Sequence, residues 1–152
     1  RVWLPLPPAM YDDILVPTDG SAGTADVLDH AIAAAGPHDA TVHSLYVVDS
    51  RLYRAAEAET KDEIRRSLEE EADVALEDVR VRVADEGLTA RTTVLDGIPH
   101  REILDYADRE GVDLIVMGTH GRTGPERIAN LGSTTTRVVE DGSVPVLVVN
   151  LG

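Results

Sequence analysis

The chain has 152 residues, 43% of them hydrophobic, no cysteine, and 28 acidic side chains against 14 basic ones, for a net charge of −14. These totals fit a single globular domain with its own core, and the missing thiols exclude disulfides, thiolate catalysis and cysteine-based metal sites. So large an acid excess disfavours nucleic acid as a partner, because such binding neutralises phosphates with basic groups, and the few aromatics, Trp3, Tyr11, Tyr46, Tyr53 and Tyr106, form no stacking platform.

Among the basic residues only Lys61 is a lysine. A chain so far from neutrality repels itself at low ionic strength. At 1 M salt the screening length falls to roughly 3 Å and that repulsion largely vanishes. An ordinary acidic cytoplasmic protein is one reading; the scarcity of lysine favours a halophilic one. No apolar run reaches the length of a membrane span, so neither a membrane nor a nucleic-acid partner is expected, and a cytoplasmic location is. The opening RVWLPLPPA is apolar, proline-rich and too short for a usual signal peptide. Residues 1–9 therefore read as a leader or an appended tail, Met10 as the natural first residue, and 10–152 as one domain.

From Met10 onward the elements alternate. DDILVP (12–17) is a short apolar run closed by proline. A helix follows from Ser21 to Ala35, with Val27, Leu28, Ala31, Ile32 and Ala35 on one face; Asp19 or Ser21 is placed to cap it, and Gly36-Pro37 ends it. ATVHSLYVV (40–48) is a second strand. A long acidic helix runs over about 57–86 with Ile64, Leu68, Ala72, Ala75 and Val79 as its buried stripe, and Gly87 closes it. ARTTVLD (90–96) is a third strand, and Pro99 opens a helix with Ile103, Leu104 and Ala107 inward. VDLIVM (112–117) is a fourth strand, a glycine-rich stretch leads to a helix ending near Asp141, and VPVLVV (144–149) is the fifth. Such alternation predicts an α/β fold, a parallel sheet with helices on both faces and right-handed crossovers. Pro145 cannot donate a ladder hydrogen bond, which places the fifth strand at an edge. An exposed apolar edge needs a cover, and a second copy of the same strand would supply it in a two-fold homodimer through 144–149.

The chemistry gathers in two segments at carboxyl ends of strands, where ligands bind in such sheets. VPTDGS (16–21) follows the first strand; MGTHGRTG (117–124) follows the fourth, and GSTTT (132–136) opens the last helix. Pro17, Thr18 and Asp19 would line one side of a ligand. The N–H groups of Gly118, Gly121, Gly132 and Ser133 would meet phosphates at a helix start, with Arg122 adding charge and His120 close by. Singly, each of these residues is as well explained by a cap, a tight turn or a solvent-facing loop; their convergence at one end of the sheet favours the phosphate cradle. There is no P-loop motif, no G-x-G-x-x-G after the first strand and no nucleophile elbow, and the histidines lack metal-ligand spacing.

The chain resembles the universal stress proteins of the UspA-like family over residues 10–150. The likeness rests on ILVPTDGS, LYVVD, DGIPHREI, DLIVMGTHGRTG, the following GST and the final VPVLVV. The resemblance implies an open, Rossmann-like five-stranded parallel sheet in the order 3-2-1-4-5, a homodimer through the fifth strand and, for members with the glycine motif, ATP binding. It assigns Pro17, Thr18, Asp19 and Val47 to the adenine side. Met117, Gly118, His120, Gly121, Gly132, Ser133, Thr134 and Thr135 fall to the ribose and phosphates, with magnesium or manganese carried by the nucleotide and no metal held by side chains alone. The family pattern has nine residues between G-x-x-G and G-[ST]; here the ten residues RTGPERIANL separate Gly121 from Gly132, and Asn130 replaces an apolar residue. The implied function is a nucleotide-responsive regulator with at most slow hydrolysis, since no lysine, arginine finger or general base suited to phosphoryl transfer is evident. The longer spacer keeps open a dimeric scaffold that binds no nucleotide. If the acid excess is an adaptation to salt, the melting temperature rises steadily from low to molar KCl; a flat or falling curve removes that reading.

Overall fold

The computed structural model describes residues 10–120 and 131–151; the opening segment 1–9, Gly121, Arg122 and most of the long spacer lie outside them. The elements are β1 (Asp13–Thr18), α1 (Thr24–Ala35), β2 (Thr41–Asp49), α2 (Ala58–Asp85), β3 (Ala90–Gly97), α3 (Pro99–Arg109), β4 (Leu114–Gly118), α4 (Ser133–Asp141) and β5 (Val146–Val149). The strands form one five-stranded sheet in the order β3-β2-β1-β4-β5, every pair parallel. Registers such as Ile14 opposite Val42 and Leu114 bring the carboxyl ends of β1, β2 and β4 to one rim.

The strands read as continuous apolar runs because both faces are covered. Side chains alternate along a strand. Ile14, Val16, Val42, Leu114 and Val116 pack beneath Val27, Leu28, Ala31 and Ala35 of α1 and Val79 and Val83 of α2. Leu15, Leu45, Ile115 and Met117 turn the other way, onto Ile103, Tyr106 and Ala107 of α3 and Val138 of α4. Tyr46, Val48 and Tyr53 meet Ala72 and Leu76 in a third cluster under α2.

The start of α1, the buried stripe of α2 and the start of β5 differ from the sequence expectation. Helix α1 begins at Thr24, and neither Asp19 nor Ser21 caps it: Gly23 holds the cap position without a side-chain bond. The Asp19 carboxylate instead accepts the Ser21 N–H at 3.0 Å, closing a turn before the helix. The buried stripe of α2 lies further toward its C-terminus, through Ala72, Leu76, Val79 and Val83, with Ile64, Leu68 and Ala75 only half buried. A 28-residue helix is about 42 Å long, longer than the roughly 30 Å of the nine-residue β2, so its first turns outrun the sheet. Strand β5 starts at Val146, past Pro145, and stands at the edge. The Pro145 carbonyl still accepts from Ile115 N–H at 3.0 Å, so the missing donor costs that ladder nothing.

One polar chain crosses the lower core. His43 is 0% exposed; its Nε2 lies 2.8 Å from Asp13 Oδ1 and its Nδ1 2.7 Å from the Tyr106 hydroxyl. A carboxylate only accepts, so in the neutral ring Nε2–H donates to Asp13 and Nδ1 accepts from Tyr106. The chain ties β1, β2 and α3 together. Tyr106→Phe leaves a wholly buried ring nitrogen without its partner, and stability falls by about 1–3 kcal/mol. Urea unfolding measures this; an unchanged midpoint would mean that the hydroxyl contributes nothing.

Candidate functional site

The strand order reverses between β1 and β4. The chain leaving β1 turns toward β2, the chain leaving β4 toward β5, and a cleft of 460 Å³ opens between them. Pro17, Thr18, Asp19, Val47, Met117, Gly118, His120, Gly132, Ser133, Thr134 and Thr135 all line it. The volume falls within the range of small-molecule sites.

One wall is the loop after β1. Thr18, nearly buried, accepts from Gly20 N–H at 3.1 Å and shares a 3.0 Å hydrogen bond with the Thr24 hydroxyl. Gly20 turns the loop at φ +77°, a conformation that side chains rarely adopt. The opposite wall is the start of α4. Its first intrahelical bond runs from Thr136 N–H to Gly132 O at 2.9 Å, and no side chain caps the end. The amides of Ser133, Thr134 and Thr135 thus have no intrahelical acceptor, and the helix dipole adds partial positive charge.

Hydrogen bonds anchor this helix start to β4. The Gly132 N–H donates to Thr119 O at 2.6 Å, and the Thr135 hydroxyl donates to Gly118 O at 2.8 Å. Gly132 therefore contributes close approach rather than a donor pointed into the cleft. His120 Nδ1 lies 3.2 Å from the Thr119 hydroxyl. Gly121 and Arg122, also expected at this site, lie outside the described residues.

The structure adds residues that the sequence analysis did not single out. Asp49, the last residue of β2, and Arg51, two residues on, reach the cleft as a bidentate pair, with Nε to Oδ1 at 2.9 Å and Nη2 to Oδ2 at 2.7 Å. The Arg51 guanidinium holds the Asp49 carboxyl below its usual range, and Asp49 in turn holds Arg51 more firmly charged. Nearby, the Asp96 carboxylate accepts from the Tyr53 hydroxyl at 2.7 Å and pushes that phenol's titration upward. Leu151 enters the cleft from the chain beyond β5, its N–H on the Thr119 hydroxyl at 3.2 Å. A methyl group on Gly23 or Gly118 would collide with its side chain, so the two glycines make room for it. The signal for Asp49-Arg51 was the charged pair directly after an apolar strand; Leu151 left none.

Chemically, the cleft joins hydroxyls and two carboxylates on one side to helix-start amides on the other. Among the described residues no group of three or more His, Asp or Glu is placed to hold a metal, and no helix is long and apolar enough to cross a membrane.

Comparisons with known proteins converge. The universal stress protein family model matches residues 10–150. Universal stress protein MJ0531 of Methanocaldococcus jannaschii is 42% identical over 141 residues, covering 92% of this chain and 82% of that protein. The solved structure of MJ0577, from the same organism, superposes with a TM-score of 0.87 at 37% identity, covering 94% of this chain and 98% of the other. A universal stress protein from Archaeoglobus fulgidus, solved in complex with dAMP, has the same fold at a TM-score of 0.66 and 21% identity, covering 91% and 98%. With the fold, the switch-point cleft and the family model in agreement over nearly the whole length, the chain belongs to the universal stress protein family.

Proposed function

We propose that the chain is a cytoplasmic, ATP-binding regulator of the stress response that acts by being occupied or empty rather than by turnover. The observation that carries this is the uncapped start of α4 facing the β1 loop across the switch-point cleft. Phosphates suit the amides of Ser133, Thr134 and Thr135. The amine and hydroxyls of adenosine suit the acceptors on the other side, with Pro17, Thr18, Asp19 and Val47 around the base. Met117, Gly118, His120 and Gly132 shape the space between, and Gly121 and Arg122 belong to the same cradle by sequence. The dAMP complex of the Archaeoglobus fulgidus relative is in keeping with such a ligand. Magnesium or manganese would arrive on the phosphates.

Slow hydrolysis at most fits the cations among the described residues. Lys61 lies on α2, away from the cleft, and Arg51 is committed to Asp49. Phosphoryl transfer depends on cations aimed at the moving charge. A homodimer through β5 fits its edge position and Leu147, which is 39% exposed there.

A second reading, a scaffold without nucleotide, has one observation in its favour: Leu151 fills part of the cleft against Gly23 and Gly118. The two readings separate on protein purified in high salt and denatured with acid, its released small molecules identified by mass spectrometry. The parent should release stoichiometric ATP. A Gly132→Ala, Ser133→Ala variant adds a methyl 3.2 Å from the His120 Cα and should bind Mg-ATP about tenfold more weakly or worse, equivalent to about 1.4 kcal/mol. No nucleotide from the parent, and no titration with added Mg-ATP, would leave the scaffold reading.

A further inference from the structure

A second concavity, 670 Å³, lies between α1 and α2. One stripe of α2 forms its long wall: Ser67, Glu70, Glu71, Val74, Asp78 and Arg82, at helical spacing. Ala25 and Leu28 of α1 face it. Val74, midway along, is 65% exposed, a large apolar side chain among carboxylates. Arg82, the basic residue in the stripe, is already held, by an ion pair with Asp29 and a 3.4 Å hydrogen bond to the Ala25 carbonyl. The groove is thus apolar along its middle and negative along its wall.

From this we infer that the α1–α2 groove docks a protein partner through an amphipathic helix, apolar residues toward Val74 and Lys or Arg toward Glu70 and Asp78. Apolar anchors at three- and four-residue spacing suit such a groove, and opposite charge steers and orients the partner. A second copy seated on the groove by a two-fold contact would set Glu70 and Asp78 against the same carboxylates.

The groove also touches the nucleotide cleft. Thr18, Ser21 and Thr24 line both, so the wall between them is one loop thick. A Cβ on Gly20 of that loop would lie 3.6 Å from the Ala75 side chain of α2. A ligand that reshapes the loop from one side alters the seat on the other, and the partner reads the occupancy of the cleft. This coupling rests on the ATP reading above; the docking itself does not.

The test uses the full chain and a fluorescein-labelled synthetic 18-residue helical peptide, leucine on one face and lysine on its flanks, followed by anisotropy in 0.15 M KCl. The parent should bind. Val74→Arg, and separately Glu70→Lys with Asp78→Lys, should weaken binding about tenfold or more. Glu63→Lys with Asp85→Lys makes the same charge change on α2 outside the groove and should stay within about threefold of the parent. All these positions are exposed, and circular dichroism checks that each variant keeps its helix content. Failure of the parent to bind overturns the docking, as does equal loss in the control pair, which marks unspecific attraction to an acidic surface. Sedimentation without peptide addresses a second copy: self-association that Val74→Arg abolishes would make the groove a self-contact and overturn the inference. Saturating Mg-ATP, its binding measured separately, should shift peptide affinity about threefold or more. Bound ATP with no shift overturns the coupling alone; absent ATP binding overturns the nucleotide reading and leaves the nucleotide-free docking result standing.

Discussion

Between β1 and β4 the chain leaves the sheet in opposite directions, and the rest of the site depends on that reversal. Neighbouring strands end side by side, yet their continuations separate, so the rim cannot close over itself. The β1 loop and the start of α4 are left facing each other. Everything beneath serves to hold those two ends in register: the parallel ladders, the two apolar faces, and the Asp13–His43–Tyr106 chain through the core.

Charge shapes what such a cleft takes up. The chain is strongly acidic, and the charged side chains that line its described walls are Asp19, Asp49 and Arg51, the last two locked together. Among the described residues, a phosphate would find its attraction mainly in the backbone amides and the helix dipole at α4, which add no formal charge and do not titrate. The same acidity on α2 acts the other way at the groove, where side-chain carboxylates would favour a basic partner. One composition thus supports two kinds of surface, told apart by whether backbone or side chains face outward.

Much of this was legible in the sequence because the relevant patterns are local. Apolar runs such as ILV and LIVM announce strands covered on both faces, and the helical stripes announce what covers them. Glycines and hydroxyls at two strand ends marked both walls of the cleft, and eleven of the thirteen expected site residues line it, the remaining two, Gly121 and Arg122, lying outside the described residues. What stayed hidden depends on long-range contact. Nothing near His43 foretells partners 30 and 63 residues away. Leu151 looks like the end of an apolar strand, and its place against Gly118 follows only from the pairing of β5 with β4. The cap of α1 was misjudged because Asp19 and Ser21 hydrogen-bond each other in a turn, a local alternative that competes with capping.

The most direct measurement is a backbone amide NMR titration of the full chain with Mg-ATP. Binding at the switch point predicts saturable shifts concentrated at residues 17–24 of the β1 loop, at 118–120 and at 132–135, with the Ser133, Thr134 and Thr135 amides among the largest. Shifts confined to other surfaces, or none at millimolar nucleotide, would contradict the assignment of this cleft as the place where the chain meets its ligand.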